Sequence, residues 1–373
     1  MRIAMIGQKR TGSREGGVEV VVTELATRMA ALGHEVVCYD RSGSDINGNP
    51  APSKPYEYQG VRVVPVHTVD AKGLAALTSA YAATRMALKD QPDVVHYHAE
   101  GPCNVLPLAT RAGIRTVATI HGLDWQRAKW GGFASYVIKR GERCAATKAH
   151  ALIVLSKAVQ NYFHSEYGRE TFFVPNGVNI PKLAPANIIT KRWGLEDGSY
   201  ILYLSRIVPE KRPELLLEAF RKLDTDKRLV IAGGASDTSA FYEEIQKLAK
   251  RDSRVVMTGF VEGETLAELY SNAYCYVLPS DVEGMPMSLL EAMSYGCCCV
   301  TSDIPECADV IGGTDVTFMQ GDAEALRTVL ASLIASPTYA AMLGEAARVR
   351  VEAEYDWDFV VQRTLEIYGG VRA

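Results

Sequence analysis

The chain has 373 residues, of which 47% are apolar, and this is enough to build two hydrophobic cores. Its formal net charge of −4 argues against nucleic acid as a main partner. No apolar run approaches the roughly 20 residues of a membrane-spanning helix, and the amino terminus has no signal-peptide pattern. The eight cysteines form no C-x-x-C pair, which favours reduced thiols in the cytosol.

The first half of the chain alternates short apolar runs with segments of helical periodicity, which indicates a parallel, doubly wound sheet. Strands are predicted at 2–6, 34–39, 61–66, 94–97, 116–120 and 151–155. Helices are predicted at 20–32, 74–88, 104–111, 133–147 and 157–167. The polar run 41–58, rich in Gly, Pro and Asn, is predicted to be an exposed loop.

A glycine-rich loop follows the first predicted strand. Residues 7–17 contain four glycines and end in the pair Gly16 and Gly17, directly before a helix. Glycine lets a ligand approach the backbone closely, and helix amino termini attract anions. The spacing is not G-x-G-x-x-G, so a dinucleotide fingerprint is not supported. An ordinary tight turn is the alternative.

Two histidine sites lie at predicted strand ends. His96 and His98 alternate along D-V-V-H-Y-H, and His121 follows T-V-A-T-I. A pair at i and i+2 can ligate a metal, but no third ligand is spaced with it, so no metal site is predicted. His121 can also be a simple polar cap of its strand.

The segment 127–148 is basic and aromatic in an otherwise acidic protein. It carries six Lys or Arg residues against the single acid Glu142, interleaved with Trp130, Phe133 and Tyr136. Such a helix can contact an anionic membrane, and a solvated helix is the alternative.

A strand running into a Pro-Asn-Gly turn at 172–179 predicts a domain boundary near residue 180. Beyond it, strands are predicted at 200–204, 229–232, 255–258, 276–278 and 297–301. Helices are predicted at 287–294, 323–335, 340–354 and 359–368. The D-x-D run 224–226 is predicted to be a solvated turn rather than a metal site.

Two carboxylates mark the strand, loop, helix and strand of residues 276–303. Glu283 lies in the loop within P-S-x-x-E-G-M-P, and Glu291 lies in the helix within E-A-M-S-x-G. In open α/β sheets, ligands bind where strand ends meet helix starts. This arrangement therefore predicts a ligand site around the two glutamates.

The pattern resembles the E-x7-E signature of the retaining, nucleotide-sugar-dependent glycosyltransferases of family 4. Residues 175–179 likewise resemble the family's P-N-G-V-D segment, with Asn179 in place of Asp. The opening motif 7–19 is similar to that of bacterial rhamnosyl and related hexosyl transferases of polysaccharide assembly. The resemblance covers nearly the whole chain and is strongest from 199 to 303.

The resemblance implies an α/β protein of the GT-B fold, in which two Rossmann-like doubly wound domains face each other across a cleft. Residues 1–180 would bind the acceptor and 181–354 the nucleotide sugar. Residues 355–373 would form a helix that packs back on the first domain.

The resemblance also implies roles for individual residues. Arg206 and Lys211 would hold the donor diphosphate, where fixed cations stabilise the charge that develops on the leaving group. Glu283 and His121 would contact the donor sugar, and Glu291 the ribose hydroxyls. The predicted catalytic residues are His121, Arg206, Lys211 and Glu283, and the predicted binding residues are Gly16, Gly17, Gly233, Gly259, Val261, Gly284, Met285, Pro286, Met287 and Glu291.

The implied reaction is hexosyl transfer from a nucleoside diphosphate sugar to a hydroxyl of a glycan or lipid-linked acceptor, without metal or other cofactor. UDP, GDP and dTDP all stay open as the nucleotide. We expect a cytoplasmic protein, peripheral at the inner face of the plasma membrane if segment 127–148 binds lipid. The alternatives are a nucleotide-sugar epimerase or hydrolase of the same fold, and a non-catalytic nucleotide-sugar-binding regulatory subunit.

Overall fold

A computed structural model describes residues 1–44, 49–69, 74–126, 132–235, 239–313 and 316–371. The chain divides into two compact units. The first consists of Met1–Gly177 and Trp357–Ala373, and the second is Val178–Asp356. The sequence placed the first boundary at residue 180, and the structure divides the chain after Gly177.

The first unit contains an eight-stranded sheet in the order β3-β4-β2-β1-β5-β6-β7-β8. Its strands are β1 (Arg2–Ile6), β2 (Glu35–Arg41), β3 (Tyr56–Tyr58), β4 (Val61–Val66), β5 (Val94–His98), β6 (Arg115–Ile120), β7 (Ala151–Val154) and β8 (Phe172–Phe173). All pairs are parallel except β3 with β4. The prediction of a continuous loop over 41–58 was therefore wrong at its end, where Tyr56–Tyr58 adds an antiparallel edge strand.

Helices connect these strands, as the alternating pattern predicts. They are α1 (Gly17–Ala31), α2 (Ala75–Asp90), α3 (Glu100–Cys103), α4 (Leu106–Arg111), α5 (Gly132–Lys148) and α6 (Lys157–Tyr167). The core lies between the sheet and the helices, where Tyr97, Leu106 and Leu152 are completely buried. Strands covered on both faces read as near-continuous apolar runs, which is why the sequence located most of them.

The second unit contains a six-stranded parallel sheet in the order β11-β10-β9-β12-β13-β14. Its strands are β9 (Tyr200–Leu204), β10 (Arg228–Ala232), β11 (Val255–Gly259), β12 (Cys275–Leu278), β13 (Cys299–Ser302) and β14 (Val316–Phe318). Its helices are α7 (Ile188–Trp193), α8 (Pro213–Arg221), α9 (Ser239–Ala249), α10 (Gly263–Ser271), α11 (Met287–Ser294), α12 (Pro305–Ile311), α13 (Ala323–Ile334) and α14 (Pro337–Glu354). The three consecutive cysteines at 297–299 are buried with free thiols, as small apolar residues are.

The last helix, α15 (Trp357–Gly369), belongs to the first unit. Trp357 packs against Gly177 so closely that a Cβ at this glycine would lie 2.5 Å from the indole ring. Arg28 pairs with Asp358 at 2.9 Å, and the Tyr368 hydroxyl lies 2.7 Å from Nδ1 of His96. The predicted fold class, two Rossmann-like parallel α/β domains with a returning final helix, is confirmed.

Among the residues that the structure describes, no single helix is both long and apolar enough to cross a membrane. The sharply bent pair α13 and α14 meets the length and composition requirements only when the two helices are taken together.

Candidate functional site

The strand order of the second unit reverses beside β9, which lies between β10 and β12. Sheets of this kind bind ligands outside the carboxyl ends of the two strands at the reversal. Arg206 and Lys211 follow β9, and Glu283 follows β12. The topology thus brings to one sheet edge three residues that the sequence singled out separately.

Lys211 and Glu283 form a buried ion pair at this edge. Nζ of Lys211 donates to Oε1 of Glu283, and each residue is only 8% exposed. A second bond joins the same two loops, because the amide of Asp281 donates to the carbonyl oxygen of Glu210 at 2.9 Å. The sequence predicted that Lys211 and Glu283 both serve the donor, but it did not predict that they bind each other.

The Glu283 carboxylate also acts on its apolar surroundings. Burial, and then the charge of Glu283, raise the pKa of the Cys307 thiol well above its ordinary value. The pKa of Tyr276 is also raised well above its ordinary value, mainly by burial and to a smaller extent by the charge of Glu283. Both groups therefore stay neutral beside the ion pair at physiological pH.

Helix α11 begins directly behind this loop. Its N-cap is Pro286, and no side chain caps its first turn. The four predicted binding residues at 284–287 are all buried. Backbone amides and the positive end of a helix dipole favour an anionic ligand. The predicted assistance to a diphosphate at this point is compatible with the local structure and stays a prediction.

Glu291 lies half-buried on α11, where an aromatic side chain orients it. The Tyr270 hydroxyl lies 3.3 Å from Oε2 of Glu291 and 3.2 Å from the carbonyl oxygen of Ser288. The ring of Tyr270 stacks on that of Tyr295 with centroids 5.2 Å apart. Sequence reasoning missed Tyr270, since a tyrosine in a separate helix carries no local pattern that links it to Glu291.

Gly233 has a structural reason to be glycine. It follows β10 with φ +146°, and a Cβ there would lie 1.8 Å from the carbonyl oxygen of Ser205. Its amide donates to the carbonyl oxygen of Gly259 at 2.8 Å. Close backbone packing of three neighbouring strand ends therefore requires this glycine, while ligand binding by Gly233, Gly259 and Val261 stays a prediction.

Arg212 is a further residue of the second unit that sequence reasoning passed over. It adopts a left-handed conformation with φ +51°, unusual for a side chain other than glycine. Its Nη1 lies 3.3 Å from Oδ2 of Asp281, two residues before Glu283. The signal available in the sequence was a charged residue directly after Lys211 and before Pro213, where a turn is needed.

In the first unit, Gly16 is the N-cap of α1 and Gly17 is its first residue, so the helix begins three residues before its predicted start at 20. The buried Glu19 accepts a hydrogen bond from the Lys9 amide at 2.9 Å. Its other carboxylate oxygen would lie 2.5 Å from a Cβ at Gly16. The end of the Glu19 side chain thus lies against Gly16, and the predicted nearness of donor phosphate is not tested.

His121 lies at the end of β6, in contact with a second histidine. Nδ1 of His98 is 3.1 Å from Nε2 of His121. His96 uses both ring nitrogens, toward the Tyr368 and Thr119 hydroxyls at 2.7 Å each. Burial and the neighbouring His121 lower the pKa of His96 to about 3. The structure thus joins the two histidine sites that the sequence treated separately.

The D-x-D segment 224–226 lies in an exposed turn. Asp224 and Asp226 are exposed between α8 and β10, as expected for a solvated turn. Within the described ranges, no group of three His, Cys, Asp or Glu side chains has the arrangement to hold a metal ion.

The buried ion pair makes a prediction about stability. Lys211→Met and Glu283→Gln should each lower the free energy of unfolding by about 3 kcal/mol, because each leaves a buried charge without its partner. The double variant should recover most of that loss, and denaturant unfolding of all four proteins measures the coupling.

The matched control is the exposed pair of Lys222 and Glu218, whose atoms lie 3.1 Å apart. Lys222→Met should change the free energy of unfolding by less than about 1 kcal/mol. If the double variant lost the sum of the unfolding free energies lost by Lys211→Met and Glu283→Gln, the two residues would not be coupled as a buried ion pair.

Both halves of the chain match models of known protein families. The family model described as Glycosyltransferase Family 4 matches residues 15–182, and that described as Glycosyl transferases group 1 matches residues 187–350. Glycogen synthase of Mycobacterium tuberculosis is 27% identical over 99% of this chain and 94% of its own.

Two further similarities agree with this assignment. A GDP-mannose-dependent alpha-(1-6)-phosphatidylinositol monomannoside mannosyltransferase of Mycolicibacterium smegmatis is 28% identical over 75% of this chain and 77% of its own. The crystal structure of Anabaena HepE in complex with UDP-glucose superposes with a TM-score of 0.81 at 16% identity, over 100% of both chains, and so shares the fold. The chain is therefore an enzyme that belongs to the family 4, or group 1, glycosyltransferases.

Proposed function

We propose that the protein transfers a hexosyl group from a nucleoside diphosphate sugar to a hydroxyl of a glycan or lipid-linked acceptor, in bacterial cell-surface polysaccharide assembly. The donor class is inferred from one observation: Arg206, Lys211 and the start of α11 all follow the two strands beside which the strand order of the sheet reverses. Cations and helix amides at such a point suit a diphosphate. The UDP-glucose in the HepE complex supports the same donor class.

The proposed reaction retains the configuration at the anomeric carbon. The acceptor oxygen forms a new bond to the anomeric carbon. On the same face of the sugar, the bond between the anomeric carbon and the diphosphate oxygen breaks. The acceptor proton passes to the departing phosphate, and Arg206 and Lys211 stabilise the charge that develops there. Neither metal nor another cofactor takes part in the proposed scheme.

Glu283 is not the nucleophile in this proposal. Retaining glycosidases use two carboxylates about 5 Å apart, one of which forms a covalent intermediate. Here the ammonium group of Lys211 occupies one carboxylate oxygen of Glu283. A carboxylate held by a buried cation is better suited to orient the donor sugar than to attack it.

Nucleotide binding tests the proposed donor class. We expect one of UDP, GDP, dTDP and ADP at about 100 times its dissociation constant to stabilise the protein by about 2.7 kcal/mol, seen as a raised unfolding midpoint. The shift should be the same with magnesium and with EDTA.

Glu291→Ala should abolish this shift because it removes the predicted ribose contact, whereas Glu345→Ala, an exposed residue of α14, should leave it intact. No shift with any of the four nucleotides would refute the proposal.

The mechanism is tested by turnover and stereochemistry. Glu283→Gln, assayed where the variant is folded, should keep measurable transfer, because the residue serves binding rather than covalent chemistry. Proton NMR of the product should show the anomeric configuration of the donor. A glycosyl adduct trapped on Glu283, or an inverted product, would contradict the proposed scheme.

We also propose that α5 contacts an anionic membrane surface. Residues 127–131 of the predicted segment lie outside the described residues, so the proposal rests on α5. Tyr136 is 66% exposed, and Arg140 and Arg143 are exposed on the same helical face. Lys139 does not contribute to this face, because its Nζ lies 3.8 Å above the Trp125 ring and near Glu142.

Cosedimentation with phosphatidylserine-containing vesicles at low salt tests this contact. Arg140→Glu with Arg143→Glu should abolish binding of the full chain through charge reversal. The control is the double variant Lys247→Glu with Lys250→Glu, which makes the same charge change in the second unit. It should bind the vesicles as the unaltered protein does. Equal binding by both double variants would eliminate the proposed contact.

A further inference from the structure

The loop that carries Glu283 is joined to the loop that carries Lys211 by three neighbouring contacts. The Asp281 amide donates to the carbonyl oxygen of Glu210 at 2.9 Å. The ammonium group of Lys211 donates to Glu283. Nη1 of Arg212 lies 3.3 Å from Oδ2 of Asp281. Three consecutive residues after β9 thus bind the loop after β12, and the pair of Arg212 and Asp281 is the most exposed of these contacts.

Asp281 also joins the loops that follow the next two strands of the sheet. Nε2 of Gln320, two residues after β14, donates to the carbonyl oxygen of Asp281 at 3.1 Å and lies 3.3 Å from its Oδ1. The Gln320 amide donates to Oδ1 of Asp303, directly after β13, at 2.9 Å. Asp281 therefore links four loops at one sheet edge, and each of its carboxylate oxygens has its own partner.

The backbone of Arg212 is unfavourable for a residue with a side chain. Its φ is +51° and its ψ is 43°, at the point where the chain leaves the short 3-10 turn Pro209–Lys211 and enters α8. Glycine adopts this left-handed conformation without the clash that a Cβ causes. Other residues persist there when the surrounding structure requires them, and such residues cluster at functional sites.

Stability alone does not account for an arginine at this position. The side chains of Arg212 and Asp281 are 33% and 30% exposed. The second partner of Arg212 is Glu214, whose Oε1 lies 2.9 Å from Nε and whose side chain is 31% exposed. Ion pairs that are open to solvent add little to the free energy of unfolding. What Arg212 does supply is a fixed position for Asp281, and through it for the loop of Glu283.

We propose that Arg212 and Asp281 are positioning residues that hold Glu283 in place beside Lys211. Arg212 binds Asp281, two residues before Glu283, so it acts on the site through the loop. The loop contact itself does not depend on the proposed function. Its consequence rests on that function: the fixed loop presents Glu283 to the donor sugar, while Arg206 and Lys211 hold the diphosphate.

Hydrogen exchange of the full chain tests the loop contact. The Asp281 amide is bonded to Glu210, so the peptide over 279–286 should be protected in the unaltered protein. Arg212→Gly should speed exchange of this peptide by about tenfold, because the loop opens more often without its outer contact.

The matched control is Gln91→Gly. Gln91 also has a left-handed backbone, with φ +45°, and it is an exposed residue at the end of α2 in the first unit. This variant removes the same backbone strain and should leave exchange over 279–286 unaltered. Unchanged exchange of this peptide in Arg212→Gly would overturn the proposal.

Calorimetric titration tests the consequence for binding. The probes are UDP-glucose, GDP-glucose, dTDP-glucose and ADP-glucose, each compared with its nucleoside diphosphate. Arg212→Gly should weaken binding of the nucleotide sugar by about tenfold and of the diphosphate by less than about threefold, because the loop of Glu283 serves the sugar. Arg212→Lys keeps a cation beside Asp281 and should restore most of the affinity for the sugar. Equal losses for both ligands would show that Arg212 does not position Glu283 for the sugar.

Asp281→Asn tests whether the two residues act together. Asparagine keeps an oxygen for Gln320 but lacks the charge that Arg212 binds. This variant should match Arg212→Gly in exchange and in binding, and the double variant should be no worse than either. Additive effects would show that the residues act independently. If the unaltered protein binds none of the four nucleotide sugars, the proposed function fails, whereas hydrogen exchange still decides the loop contact.

Discussion

Each unit places its first strand inside a parallel sheet and reverses the strand order beside it. In the second unit, β9 and β12 are neighbours although helices and two strands separate them along the chain. Parallel strands end at the same edge, so the loops that follow them converge there. The meeting of Arg206, Lys211 and Glu283 depends on this one constraint, and in the first unit the same constraint brings Gly7 against His98.

The two edges carry different ionisable side chains. At the edge of the second unit, the buried cation Lys211 is paired with the buried anion Glu283, and Arg206 also follows β9. An unpaired buried charge is unfavourable, so Lys211 needs Glu283. The first unit instead buries neutral histidines whose pKa values are lowered by burial and by each other. The edge of the second unit thus carries basic side chains that suit an anion, whereas neutral His96 and His98 lie at the edge of the first unit.

The sequence alone allowed two explanations of the glycine-rich loop 7–17, close approach of a ligand and an ordinary tight turn. At Gly233 the neighbouring Ser205 carbonyl leaves no room for a Cβ, whereas at Gly16 the nearby atoms belong to the end of the Glu19 side chain. Backbone packing alone accounts for Gly233. A glycine-rich loop therefore locates a strand end in the sequence, and its ligand has to be established separately.

The sequence by itself determined the two parallel α/β units, since continuous apolar runs and helical periodicity are local patterns. It also determined the family, because Glu283 and Glu291 lie close together in one distinctive segment. Only the tertiary structure decided which side chains bind each other. Lys211 and Glu283 are separated by 72 residues, and His98 and His121 by 23. Such pairs depend on strand order and register, which no local pattern records.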